Sequence, residues 1–146
     1  MAKKFAQGKF MPKNPSKYIG KRHPMFRSSW ELVFMNFCDN HVSVLQWASE
    51  AIAIPYMCPF RKRRTQYVPD FFIMYVDKDG TQHAELIEIK PFDQTGQVKT
   101  RSRNNALAAV KNAAKWAAAQ AYCEKNGLKF RVITERELFH MGGGTL

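Results

Sequence analysis

Apolar and polar positions change period several times along the chain, and each change marks an element. From Arg27 to Asp39 the residues Trp30, Val33, Phe34, Phe37 and Cys38 recur at helical spacing, which predicts a helix with one buried stripe. Ser28 is placed to cap it. Glu31, three residues on, completes a Ser-x-x-Glu capping box, a purely structural reason for that glutamate. Val42 to Trp47 and Ala51 to Tyr56 read as short strands, the second with Ile52, Ile54 and Tyr56 alternating. Tyr67 to Val76 and Gln82 to Lys90 are dense in aromatic and β-branched residues. Between them, Asp77 to Thr81 carries an Asp-Gly pair, so an antiparallel hairpin is predicted. Pro91 ends the second run, because its ring removes an amide donor. Asn104 to Asn126 is predicted as one long helix, with Ala106, Val110, Ala113, Ala114, Ala117 and Ala121 forming a small-residue face and Asn126-Gly127 closing it. Leu128 to Thr134 follows as a strand, and Glu135 to Phe139 as a helical turn. Strand, long helix, strand implies a right-handed crossover between parallel neighbours.

The length of 146 residues fits one domain with a real core. No run is apolar enough to span a bilayer, and the basic N-terminus lacks the apolar stretch of a secretory signal, so a cytosolic protein without membrane contact is expected. Cys38, Cys58 and Cys123 are far apart and odd in number, which argues for buried thiols rather than disulfides or zinc. The formal net charge of +11 does change the picture, since excess Lys and Arg on a soluble domain point to a polyanion such as nucleic acid. Residues 1–24 read as an extended basic arm, 25–141 as the folded domain and 142–146 as a flexible Gly-rich tail. Arg61, Lys62, Arg63 and Arg64 form a basic turn beside Asp70, and Lys99, Arg101 and Arg103 sit in a second polar loop. Both are expected to grip DNA phosphates.

Alternation along the hairpin carries the chemistry. Glu88 and Lys90 share a face with Leu86, while Asp70 starts a face continued by Phe72 and Met74, so three ionisable groups converge at one end of an apolar hairpin. Such groups need each other, a metal ion or water. Pro69-Asp70 followed by Glu88-Ile89-Lys90 resembles the signature of the PD-(D/E)XK nuclease superfamily. The element order is similar to its restriction-endonuclease-like core, an α/β fold with a mixed sheet flanked by helices. Arg27-Ser-Ser-Trp-Glu31, Tyr67-Val-Pro-Asp-Phe-Phe, Leu86-Ile-Glu-Ile-Lys-Pro91 and Phe130-Arg-Val-Ile-Thr-Glu135 together resemble the endonuclease subunit of Tn7-type transposases, from Arg27 to about Leu138. With Lys4-Phe-Ala-Gln-Gly-Lys-Phe10 and Pro12-Lys-Asn-Pro15 included, the chain is similar to the head-completion nucleases of tailed bacteriophages.

The resemblance implies a metal-dependent DNA endonuclease acting in phage head completion. Asp70, Glu88 and the Ile89 carbonyl would hold Mg²⁺, with Mn²⁺ as a substitute and Glu31 as a further ligand. Lys90 would orient or deprotonate the attacking water, or neutralise the scissile phosphate. DNA is the implied substrate, and phage portal or head-neck proteins are partners for the arm. The implied setting is the host cytoplasm during assembly, with the virion as the other location. The competing reading is a non-catalytic DNA-binding or head-closure protein at the portal vertex that keeps the fold for its shape.

Overall fold

The computed structural model describes residues 7–95 and 103–138. Two short strands, β1 (Gly8–Lys9) and β2 (Met25–Phe26), pair ahead of helix α1 (Ser29–Asn40). Then come β3 (Val44–Ser49), β4 (Ile54–Cys58), β5 (Arg63–Tyr67), β6 (Phe71–Val76) and β7 (Gln82–Ile89). Helix α2 (Arg103–Asn126), strand β8 (Lys129–Ile133) and the short helix α3 (Glu135–Leu138) complete the described chain. The main sheet has the order β3-β6-β7-β8. Its first two pairings are antiparallel and β7–β8 is parallel, as the crossover through α2 requires. This is the mixed sheet between helices that the restriction-endonuclease-like core demands.

The sheet separates two apolar clusters. On one side Phe34, Phe37 and Cys38 of α1 pack with Trp47, Phe71, Ile73, Ile87, Ile133 and Leu138. On the other, Ala119 and Cys123 of α2 pack with Leu86 and with the β4–β5 ribbon through Ile54, Tyr56, Cys58 and Tyr67. Strand β7 is therefore covered on both faces, and every residue from Glu85 to Ile89 is buried. All three cysteines are free, buried thiols. Among the described residues, no helix is long and apolar enough to cross a membrane.

Local signals explain the boundaries. Ser28 caps α1 by accepting the Glu31 amide at 3.2 Å, while the Glu31 carboxylate takes the amide of Arg27 at 3.1 Å, one residue before the cap. Asp77 organises the hairpin loop by accepting the amides of Asp79 (2.9 Å) and Thr81 (3.0 Å), with Gly80 at φ +82°. Gly127 ends α2 at φ +71°, letting the Leu128 amide reach the Cys123 carbonyl at 2.9 Å.

Several expectations are corrected. The run expected to be one strand from Tyr67 is two, because Val68-Pro69-Asp70 interrupts it: β5 belongs to the ribbon with β4, and β6 to the main sheet. The basic run is not wholly a turn. Lys62 bends the chain at φ +52°, but Arg63 and Arg64 open β5 opposite Cys58 and Met57, where alternation sends their side chains to opposite faces and eases their repulsion. In α1 the buried stripe is rotated toward Met35 and Asp39, and Val33 is 36% exposed, because the chain before Pro24 packs on that side of the helix. In α2 the expected small-residue face is mostly solvated: Ala106, Val110, Ala113, Ala117 and Ala121 are exposed, and Asn112, Ala119 and Cys123 turn inward. An alanine-rich helix offers several faces of equal apolarity, so packing of the larger Trp116 and Tyr122 selects one.

The described part of the arm, Gln7 to Pro24, lies on the domain. Phe10 is buried against Trp47 with ring centroids 5.7 Å apart, and Tyr18 meets the same indole at 4.7 Å. Asp39, 1% exposed at the end of α1, accepts the backbone amides of Lys13 (2.8 Å) and Asn14 (3.0 Å). The Gly-rich tail, 142–146, lies outside the described residues.

Asp39→Ala leaves two amides of the N-terminal segment without their acceptor, and is expected to destabilise the protein by about 1–3 kcal/mol. Limited proteolysis should then cut between Lys13 and Arg22, where the native chain resists. Equal protection in the two proteins would show that the carboxylate does not hold the segment down.

Candidate active site

The register of β6 on β7 builds the site. Phe71 pairs with Ile87, so the next residues outward, Asp70 and Glu88, come opposite each other on the face toward α2. The bend at Val68-Pro69 frees Asp70 from the ladder, and its Oδ2 accepts the Ile89 amide at 2.8 Å. Glu88 is 4% exposed. Its Oε1 accepts the Tyr67 hydroxyl at 2.8 Å, and its Oε2 lies 3.6 Å from Lys90 Nζ. Asp70, Glu88, Lys90 and the Ile89 peptide are thus brought together at one end of the hairpin.

Burial and mutual repulsion dominate the electrostatics. Desolvation, then the Glu88 charge, pushes the Asp70 carboxyl well above the usual carboxylate range, against the opposing Ile89 amide. Glu88 is also raised by desolvation, with Lys90, the Tyr67 hydroxyl and Lys115 working the other way. Glu31, half-buried on α1, is raised by desolvation too, and further by the Glu88 charge, while its own charge raises Asp70. Three carboxylates therefore face one region where the cations on hand do not fully compensate them.

Sequence reasoning missed three participants. Tyr67 stood in a quoted motif without a role, yet its hydroxyl orients Glu88, and burial with the Glu88 charge raises its own pKa. Lys115 of α2 lies over the Tyr67 ring, its Nζ 5.5 Å from the centroid, with its pKa lowered by desolvation and by Lys90 and Lys111. No local signal marks Lys115, since only tertiary packing turns that helix face to the site. Glu50, at φ +49°, donates its amide to the Asp70 carbonyl at 2.9 Å and pairs with Arg27 at 3.0 Å.

The basic run Arg61 to Arg64, expected beside Asp70, is not there. Arg61 to Arg64 are exposed at the far tip of the ribbon, and β5 separates Arg63 from Tyr67 by roughly 13 Å at about 3.3 Å per residue. Arg103 is exposed at the start of α2. Lys99 and Arg101 lie outside the described residues.

Among the described residues no three His, Cys, Asp or Glu side chains form a metal cluster. A hard cation such as Mg²⁺ needs only one or two carboxylates, with water completing its octahedron, and buried Glu88 beside part-buried Asp70, both raised by desolvation and Asp70 further by the Glu88 charge, supply the charge it would offset. The pair fits that requirement.

Comparison with known proteins gives two matches. Residues 41–135 match the family described as TnsA-like endonuclease N terminal. The chain is also similar to the head completion nuclease of Enterobacteria phage T4, 35% identical over an alignment of 146 positions that covers 92% of this chain and 95% of the relative.

The raised carboxyls set a pH dependence. The folded protein keeps protons that the unfolded chain releases, so the pair costs nothing below the ordinary carboxylate range and costs progressively more as pH rises through the raised pKa values. Asp70→Asn keeps an oxygen for the Ile89 amide and removes the charge. In chelator it is expected to melt a few degrees above wild type at about pH 8, with the difference vanishing near pH 3.5, below the ordinary Asp pKa of about 3.9. Melting curves that coincide at both pH values would show that the pair carries no electrostatic strain.

Proposed function

This chain belongs to the family of TnsA-like endonuclease N-terminal domains, and on that footing we propose that it is a metal-dependent DNA endonuclease acting in the completion of phage heads. The observation that carries the reading is the pairing of part-buried Asp70 with buried Glu88, with Lys90 at 3.6 Å from the latter, at the end of the β6–β7 hairpin away from its turn. A protein that used the fold only for its shape would keep two mutually repelling carboxylates at a continuing cost in stability. The T4 relative's role as a head completion nuclease, and its match along nearly the whole chain, support the head-completion assignment.

In this reading Asp70 and Glu88 hold Mg²⁺, or Mn²⁺ in its place, with the Ile89 carbonyl as a backbone ligand and Glu31 reaching in from α1. The ion supplies Lewis-acid stabilisation of the charge on the phosphodiester and lowers the pKa of a bound water. The chain's own groups do the rest. Tyr67 fixes one oxygen of Glu88 and leaves the other turned toward Lys90. Lys90 holds the attacking water or neutralises the scissile phosphate, and the Asp70–Ile89 bond keeps the two carboxylates in register. Lys115 offers a second ammonium for a neighbouring phosphate. Arg61, Lys62, Arg63 and Arg64 at the ribbon tip, with Lys99, Arg101 and Arg103, extend the contact along the backbone, in keeping with the net charge of +11. The exposed side chains of the docked N-terminal segment provide the surface for portal or head-neck partners, in the host cytoplasm or in the virion.

Purified protein should cleave plasmid and linear DNA with Mg²⁺ and stop with chelator. Asp70→Ala, Glu88→Ala and Lys90→Ala should each lose cleavage on the order of 10²–10³-fold. Only the first two should weaken the metal-dependent rise in melting temperature. Full activity in Asp70→Ala would rule the mechanism out. Glu31 is separated from its capping role by two variants. Glu31→Gln keeps an oxygen for the Arg27 amide and should lose cleavage while melting near wild type. Ser28→Ala should cost about 1 kcal/mol and keep its activity. Normal cleavage by Glu31→Gln would leave that residue as a cap alone.

A further inference from the structure

Beside the carboxylates lies a cavity of about 640 Å³ that the mechanism above does not use. Its rim carries Lys21, Arg22, His23 and Arg27, and its floor is apolar, with Ile52 and Phe72 among the lining side chains. Two observations tie it to the reaction centre. Phe72 follows Asp70 by two residues on the same face of β6, and Glu50, also in the lining, donates its amide to the Asp70 carbonyl at 2.9 Å. Arg27 in turn feels the charges of Asp70 and Glu31. The floor residues Ile52 and Phe72 pack against the same α2-side cluster as Tyr67, so the cavity lies on the face of the sheet that carries Asp70 and Glu88.

The wall is built rather than incidental. The Tyr18 hydroxyl donates to the Arg22 carbonyl at 2.8 Å and accepts the Ser49 amide at 3.4 Å, while its ring rests on Trp47. A Cβ on Gly20 would fall 2.3 Å from that hydroxyl, so the turn can follow the ring this closely only as glycine. Glu50 holds a left-handed backbone at the edge, with φ +49° on a non-glycine residue, a strain of the kind that gathers at ligand sites. It is the one carboxylate in the lining. Arg27 engages it through two hydrogen bonds, at 3.2 and 3.0 Å, so Lys21 and Arg22 leave the rim net positive.

We infer that this cavity seats one unpaired nucleotide of the DNA strand being cut, its phosphate at the cationic rim and its base on the Ile52–Phe72 floor. The inference rests on the nuclease reading. Size suits it, since small-molecule sites span about 300–1,000 Å³. Shape decides the class of ligand. Duplex DNA presents a convex backbone with its bases stacked inside, and cannot fill a concave, apolar-floored cavity. A nucleotide drawn out of the stack exposes a flat apolar face and a phosphate together.

The test needs no cleavage. The full chain in chelator is titrated with thymidine 5′-monophosphate, with thymidine and with inorganic phosphate, and amide shifts are followed by NMR. The monophosphate should give saturable shifts at residues 19–27 and 48–52, and bind at least tenfold more tightly than either fragment. Ala51→Trp, which fills the cavity from an exposed lining position, should weaken binding at least tenfold. Arg22→Glu should do the same and serves if the first variant misfolds. No saturable shift in these residues, phosphate binding as tightly as the nucleotide, or unchanged binding in both variants would overturn the inference. A chain that binds the nucleotide here yet cuts no DNA would instead overturn the nuclease reading, and one that cuts without binding it would overturn only the cavity assignment.

Discussion

The hydrogen bond from the Ile89 amide to the Asp70 carboxylate joins the two halves of the site across strands that the sequence separates by nineteen positions. It can form only because β6 and β7 pair in one register, with Phe71 opposite Ile87. Side chains in a strand alternate with period two, so a slip of one residue would send Glu88 to the α1 side and Ile87 and Ile89 to the α2 side. The register is held by what the two faces bury. Ile87 and Ile89 enter the cluster of α1, Leu86 enters the cluster of α2, and neither face would accept the exchange.

That double burial also explains the electrostatic character of the centre. A strand covered on both sides leaves no solvated face for a charge, yet Glu88 is carried there by alternation and is 4% exposed. Tyr67 and Lys90 offset part of the cost, and the carboxyl still titrates high. Elsewhere on the same strand Glu85 shows a fuller compensation. Its carboxylate accepts the Tyr75 hydroxyl at 2.6 Å and lies 3.1 Å from Arg131 Nε. One buried glutamate is thus paired with a guanidinium and a phenol, and the other shares its region with two further acids.

The N-terminal segment contributes more than charge. Its aromatic residues complete the α1-side core against Trp47, and the turn that Tyr18 and Gly20 shape stands beside β3 as the wall of the cavity. The Arg27–Glu50 pair links this wall to the strand end that holds Asp70. The chain just after this segment is therefore linked, through Arg27 and Glu50, to the strand end that carries Asp70.

The sequence alone determined the elements whose signals are local. The Ser28 cap, the Asp77–Gly80 loop, the Gly127 stop and the alternation of Leu86 to Lys90 each act within a few residues, so the hairpin and the convergence of Asp70, Glu88 and Lys90 were legible before any packing was known. The tertiary structure decided what depends on distant partners. It alone turned the alanine-rich α2 so that Lys115 reaches Tyr67, split the Tyr67 run at Pro69 between two sheets, and moved the basic run to the tip of a ribbon away from Asp70. It also laid the apparent arm against Asp39 and Trp47. Alanine periodicity is degenerate, charge runs tolerate either a turn or an alternating strand, and Gly- and Pro-rich segments carry no period. Only the surfaces that these stretches meet select among their possibilities.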